Sequence, residues 1–156
     1  MIKIVTDSTA DLVPEQLETH HITVVPLSVT IDGRIYLDDG VDIGRREFYR
    51  KLRAARNLPK TSQPAPAEFE KVFRELTADG SEALCLTISS KMSGTYQAAR
   101  AAAEALPAAK IHVYDTQYVS VALGQLALWA AEQALAGASA GDILAGLDAM
   151  GSSAGI

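Results

Sequence analysis

Short apolar runs recur along the chain, each closing in a polar turn and leading into a stretch with helical spacing. Residues 2–5, 22–25, 84–88 and 111–114 read as strands on this pattern. Helices are expected from Pro14, a favoured first-turn residue, over 43–55, and from about 69 to 79. Three more should follow Gly94, span 120–136, and run from Ser139 to near Met150. Residues 27–37 alternate apolar and polar around Asp32-Gly33, which predicts a hairpin with a two-residue turn. Strands alternating with helices predict an α/β domain of three layers: a mostly parallel sheet, helices on both faces, and the hairpin added.

The helices differ in pattern. Phe69, Val72, Phe73 and Leu76 form one apolar stripe, stopped by Asp79-Gly80. The helix after Gly94 has a polar stripe, Ser93, Gln97, Arg100 and Glu104, and is otherwise rich in alanine. That alanine content fits either close helix packing or room for a slender ligand. Residues 120–136 are apolar nearly all round, including Leu123, Leu126 and Trp129, so the helix should be covered on most sides. Any part left bare is expected to pair two copies of the chain. Leu58 to Pro66 contains Pro59, Pro64 and Pro66 and reads as a loop. Gly151 to Ile156 is small and structureless in pattern, so the domain is placed at 1–150, with 151–156 a flexible tail or truncation point.

Composition narrows the classes. The net charge of −5 comes without any basic block, which argues against general nucleic-acid binding. The single cysteine, Cys85, lies in a predicted buried strand and reads as a small apolar residue. Met1 leads straight into a strand, which predicts no leader peptide and a cytoplasmic location. No apolar run is long enough to span a bilayer.

The candidate chemistry sits where the strands end. In parallel sheets ligands bind beyond the carboxyl ends of the strands. Thr6-Asp7-Ser8, Ser89-Ser90 and Asp115-Thr116 should therefore share one edge, and Thr61-Ser62 joins them if its loop lies along it. After 84–88 the chain turns through Ser89-Ser90-Lys91-Met92-Ser93-Gly94-Thr95 into a helix. The free N–H groups of a helix start attract anions, and the hydroxyls add neutral donors, although serines and threonines also serve simply as caps. The nucleotide fingerprints and the G-x-S-x-G elbow are absent. His20, His21 and His112 are not placed to complete a triad, and no cluster of metal ligands is apparent, so no metal and no cofactor are expected.

Three ordered stretches carry a resemblance: Thr6-Asp7-Ser8-Thr9-Ala10-Asp11-Leu12, Thr61-Ser62-Gln63-Pro64, and Ile88-Ser89-Ser90-Lys91-Met92-Ser93-Gly94-Thr95-Tyr96-Gln97, followed by Asp115, Ser120 and Gly124. Together they resemble the N-terminal part of the DegV family over residues 1 to 150. The resemblance implies a bacterial fatty-acid-binding carrier that is not itself an enzyme. It would hold the acyl chain in an apolar tunnel and present the carboxylate to a separate ATP-dependent fatty-acid kinase. Carried over by position, Thr61, Ser62 and Ser93 would hold the carboxylate. Ser89, Ser90 and Gly94 would shape the turn, and Asp7 and Ser8 match the first motif. Ala65, Met92 and Thr116 depart from the commoner serine, leucine and serine. The family's second domain, which closes the tunnel and adds basic or histidine partners, is absent from these 156 residues. The rival readings are a phosphotransferase or hydrolase acting through the serine turn, and a regulatory module with no ligand.

Overall fold

The computed structural model describes residues 1–153. Its elements are β1 (Ile2–Asp7), a 3-10 turn (Ser8–Ala10), α1 (Pro14–His20), β2 (Thr23–Val25), β3 (Ser28–Ile31), β4 (Arg34–Leu37) and α2 (Arg45–Ala54). They continue with β5 (Lys60–Ser62), α3 (Pro66–Thr77), β6 (Glu82–Thr87), α4 (Thr95–Glu104), β7 (Ile111–Asp115), α5 (Val121–Leu135) and α6 (Ala140–Ser153).

The body is a four-stranded sheet in the order β2-β1-β6-β7, parallel throughout. Strand alternation sends neighbouring side chains to opposite faces. Ile4, Leu84 and Leu86 pack against Leu123, Ala127 and Ala130 of α5 and Ile143 and Leu147 of α6. Val5, Ala83 and Cys85 pack against Phe69 and Phe73 of α3 and Ala98, Ala99 and Ala102 of α4. These are the expected three layers. Ala98, Ala99 and Ala102 are at most 4% exposed, so the side of α4 that faces the sheet is closely packed and leaves no channel there. Burial of Cys85 pushes its thiol well above the usual cysteine range.

A smaller lobe leaves the body after β2 and returns at α3. It is an antiparallel sheet in the order β4-β3-β5, with its own core of Val29, Ile31, Tyr36 and Ile43 packed by Phe48 of α2. The hairpin turn is built as the sequence predicts: Asp32 and Gly33 both have positive φ, 46° and 84°, the backbone of a two-residue primed turn.

Two expectations need correction. Residues 60–62 are not loop but strand, pairing with β3 at Ser28↔Ser62 and Val29↔Thr61. The prolines lie outside the three paired residues, so every N–H in the segment stays available. The last helix does not stop near Met150 but runs through Ser153, so the tail expected at 151–156 is helical at its start. Neither proline nor a left-handed glycine interrupts it, and the packed turns upstream carry the roughly 1 kcal/mol cost of Gly151 relative to alanine. Residues 154–156 of that tail lie outside the described residues. On α5, a Cβ at Gly146 of α6 would lie 2.2 Å from the Trp129 indole, so the two helices meet closely there, while Leu126, Leu128 and Trp129 stay partly exposed.

Candidate functional site

The polar turns do meet at the carboxyl ends of the parallel strands, and most of their groups hold each other. Asp7 is fully buried. One carboxylate oxygen accepts the Ile88 N–H at 2.7 Å, and the other accepts the Thr9 N–H at 3.0 Å and the Thr9 hydroxyl at 2.5 Å. It thereby ties the end of β1 to the turn after β6. Burial raises its pKa above the ordinary carboxylate range, opposed by those three hydrogen bonds.

The serine turn is ordered the same way. Ser90 donates its hydroxyl to Asp115 at 2.5 Å and its N–H to the other Asp115 oxygen at 3.0 Å. Asp115 also accepts the Gln117 N–H at 3.2 Å, which pins the end of β7 to the turn. Ser89 is buried; its hydroxyl oxygen accepts the Lys91 N–H at 3.3 Å and its carbonyl accepts the Met92 and Ser93 N–H groups. Ser93 precedes α4, where its hydroxyl oxygen accepts the Thr95 N–H at 3.3 Å and lies 2.9 Å from the Thr95 hydroxyl. Gly94 is the N-cap residue and offers no side chain to the helix start.

Gly94 also admits the third stretch. A Cβ there would stand 2.2 Å from Oε1 of Gln63. The strand carrying Thr61 and Ser62 is therefore laid against the serine turn, on the shared edge. In the sequence Gln63 is marked only by its place in the Thr61-Ser62-Gln63-Pro64 stretch. The available signal was a glycine in the cap position at the head of α4, where serine or threonine is the usual choice.

Between body and lobe lies a cavity of about 930 Å³, within the range of small-molecule sites. Its apolar wall includes Leu12, Leu17, Leu27, Ile43, Phe48 and Leu52, and its polar residues include Asp7, Ser8 and Thr61. Ser8 is partly committed, since its oxygen accepts the Leu27 N–H at 3.1 Å; its proton is left to donate. Ser62, the strand neighbour of Thr61, faces the other way by alternation and is not on the cavity wall. Ser89, Ser90, Ser93 and Gly94 are also outside the wall. The expected site residues thus fall into two neighbouring groups, one in the cavity and one on the turn that Gln63 touches.

Arg45 also lines the cavity and bridges lobe to body, donating to the Asp11 carbonyl at 3.1 Å. Asp11 in turn accepts the Ser120 hydroxyl at 2.7 Å. Ser120 has φ 57° and ψ −135°, a conformation rare for a residue with a side chain. The contact fixes α5 against the first turn, where a Cβ at Gly124 would meet the Ala10 carbonyl oxygen at 2.4 Å.

Among the described residues no histidine hydrogen-bonds a serine. His20 lies on the Gln16 carbonyl and near Glu132, and His112 on Glu82. No cluster of metal-ligating side chains and no helix long and apolar enough to cross a membrane occur among them.

The family model described as "Uncharacterised protein, DegV family" matches residues 1–154. The chain belongs to the DegV family. A DegV domain-containing protein of Deinococcus radiodurans is 42% identical over 147 residues, 94% of this chain and 52% of that protein. Among solved structures, a DegV family protein from Thermus thermophilus, described as binding fatty acid, superposes with a TM-score of 0.88 at 39% identity, covering 96% of this chain and 53% of that one. A stearic-acid-binding protein from Eubacterium ventriosum gives 0.87 at 38% identity, covering 95% and 52%. The chain spans about half the length of the DegV relatives it matches.

Proposed function

We propose that this chain supplies the polar seat and one apolar wall of a fatty-acid site. The observation that carries the reading is the position of Thr61, on the wall of an apolar cavity and on the strand whose next residues reach the serine turn. DegV structures described as fatty-acid binding share the fold. In this reading Thr61, with Ser8 beside it, donates to the carboxylate from the cavity wall, and Ser62 and Ser93, which lie outside that wall, reach it from the side of the serine turn. Ser89, Ser90 and Gly94 hold the turn in shape. Asp7 acts by clamping β1 to the turn, because its oxygens are already filled and a second carboxylate against it would be repelled.

The energetics divide between the two ends of the ligand. Each buried methylene contributes about 0.8 kcal/mol, so a long acyl chain in the cavity supplies most of the affinity. The hydroxyls then need only orient the head group. Neutral donors hold a carboxylate without neutralising it, which leaves an oxygen nucleophilic toward a phosphoryl donor. The chain is accordingly a cytoplasmic carrier that presents the carboxylate to a separate kinase. It is not the catalyst, and a second domain of the kind its longer relatives have room for completes the tunnel.

Native mass spectrometry of the protein, with and without added stearate, tests the reading. A bound fatty acid is expected. Thr61→Val keeps the shape of the side chain and removes its donor, and should weaken stearate binding about tenfold, the worth of one hydrogen bond to a charged group. A protein that takes up no fatty acid, or a Thr61→Val variant that binds as wild type, would refute it. Turnover of generic ester or phosphate substrates would favour the enzyme reading instead.

A further inference from the structure

The cavity has one wall on the body and one on the lobe. Leu17 of α1 lines it from the body, and Phe48 and Leu52 of α2 line it from the lobe. The lobe's core shares no side chain with either core of the body. The chain passes between the two parts twice, through the two residues between β2 and β3 and the three between β5 and α3. Connections this short permit a rotation and prevent a separation. Two tethers lie at the connections themselves, where Leu27 donates to Ser8 and Gln63 lies against Gly94. They locate the pivot and do little to resist turning about it.

The contact between Arg45 and Asp11 lies away from both connections. Arg45 is the first residue of α2, where the helix dipole disfavours a cation. Its place is therefore not explained by the stability of α2 and is explained by its partner across the cavity. The guanidinium donates to the Asp11 carbonyl at 3.1 Å and stands 3.9 Å from the Asp11 carboxylate. Asp11 closes the 3-10 turn in the left-handed conformation, φ 54°, and its other carboxylate oxygen accepts the Ser120 hydroxyl at the start of α5. One partner is thus fixed to the body and the other rides on the lobe.

We propose that Arg45 and Asp11 form a latch. Its release lets the lobe turn about its two connections, parts α2 from α1 and opens the cavity for ligand exchange. The proposal rests on the fatty-acid reading of the cavity. The two side chains are 66% and 54% exposed, and an exposed pair is a weak one. That weakness suits a latch, because thermal motion can open it and the bound ligand is not trapped. Arg45 is then a positioning residue, acting on exchange through the width of the cavity. If both entry and exit require the open lobe, weakening the latch raises both rates by one factor and leaves their ratio nearly constant.

Spin labels on Glu18→Cys of α1 and Arg53→Cys of α2, both exposed positions, measure the opening directly by double electron–electron resonance. Cys85 is completely buried and stays unlabelled. A major short and a minor long distance are expected without ligand. Arg45→Met should enlarge the long population about threefold, Arg45→Lys should largely restore the short one, and stearate should shift each protein toward it. In stopped-flow measurements on the unlabelled chain, Arg45→Met should speed stearate association and dissociation about threefold each, with the equilibrium affinity changing less than either rate. A single distance unaffected by Arg45→Met would overturn the proposal. So would faster dissociation alone with affinity lost in proportion, which would make Arg45 a ligand contact. If no stearate binds, the fatty-acid reading fails, and the distances without ligand still decide whether the latch exists.

Discussion

The body and the lobe are built from the same chemistry to different standards. In the body, Phe69, Phe73, Leu84, Leu86 and Leu123 are completely buried and every strand but the outermost two has a partner on each side. In the lobe the core is four buried side chains, α2 buries none of its residues, and Ile35 and Leu58 are 66% and 87% exposed. The lobe meets the body through particular tethers: Ser8 on Leu27, Arg45 on Asp11, and Gln63 on Gly94. Between the two lies the cavity. The difference teaches that the stability of this molecule and its capacity to enclose a ligand are placed in separate parts. Substitutions should therefore separate them.

The largest effect is expected deep in the body. Phe73→Ala removes a completely buried ring from the α3–sheet interface and should cost about 3–5 kcal/mol by urea denaturation. Phe48→Ala, in the lobe's half-buried α2, should cost well under that. Equal losses would remove the distinction.

An intermediate effect is expected at Asp7, where body and site meet. Asp7→Asn turns one accepting oxygen into a donor facing an N–H group, and should cost about 1–3 kcal/mol. The pH dependence follows from the raised carboxyl. The folded state holds the Asp7 proton more tightly than the unfolded chain, so this group's contribution to stability falls as pH rises from the unfolded value near ~3.9 toward the folded one. It is flat above. The stability gap between wild type and Asp7→Asn should accordingly narrow with rising pH across that window, in paired urea titrations. A gap that widens would mean the carboxylate is the favoured buried form.

The smallest effect on stability, with a larger one on binding, is expected at Gly94. Alanine there meets only the end of a flexible glutamine side chain, so the melting temperature should move by no more than a few degrees, equivalent to under about 1 kcal/mol. Displacing Gln63 shifts the strand that carries Thr61, and stearate affinity should fall more than stability does. A variant that binds normally would show that the Gln63 contact does not position the site.

The parallel sheet was legible because each of its strands is an apolar run closed by a polar turn, a pattern that burial on two faces imposes. β5 was not, because Lys60, Thr61 and Ser62 are exposed and polar, and their pairing with β3 rests on the backbone alone. The edge shared by the hydroxyl turns was legible from the geometry of parallel sheets. Which hydroxyls are free was not, because their partners are remote: Ser90 is held by Asp115, 25 residues on, and Asp7 reaches Ile88 across 81. The cavity had no local signature at all. It arises where two independently packed units fail to close on each other.

The lobe leaves the body after β2 and returns at α3, two elements that touch each other directly. Its two ends thus start from neighbouring points, and no strand of the parallel sheet is interrupted by it. It is an insertion in the architectural sense, a module hung on a sheet that is complete without it. Changes of length or composition between residues 28 and 58 can reshape the cavity without altering any pairing within the parallel sheet. Ligand preference in this fold can therefore drift independently of foldability.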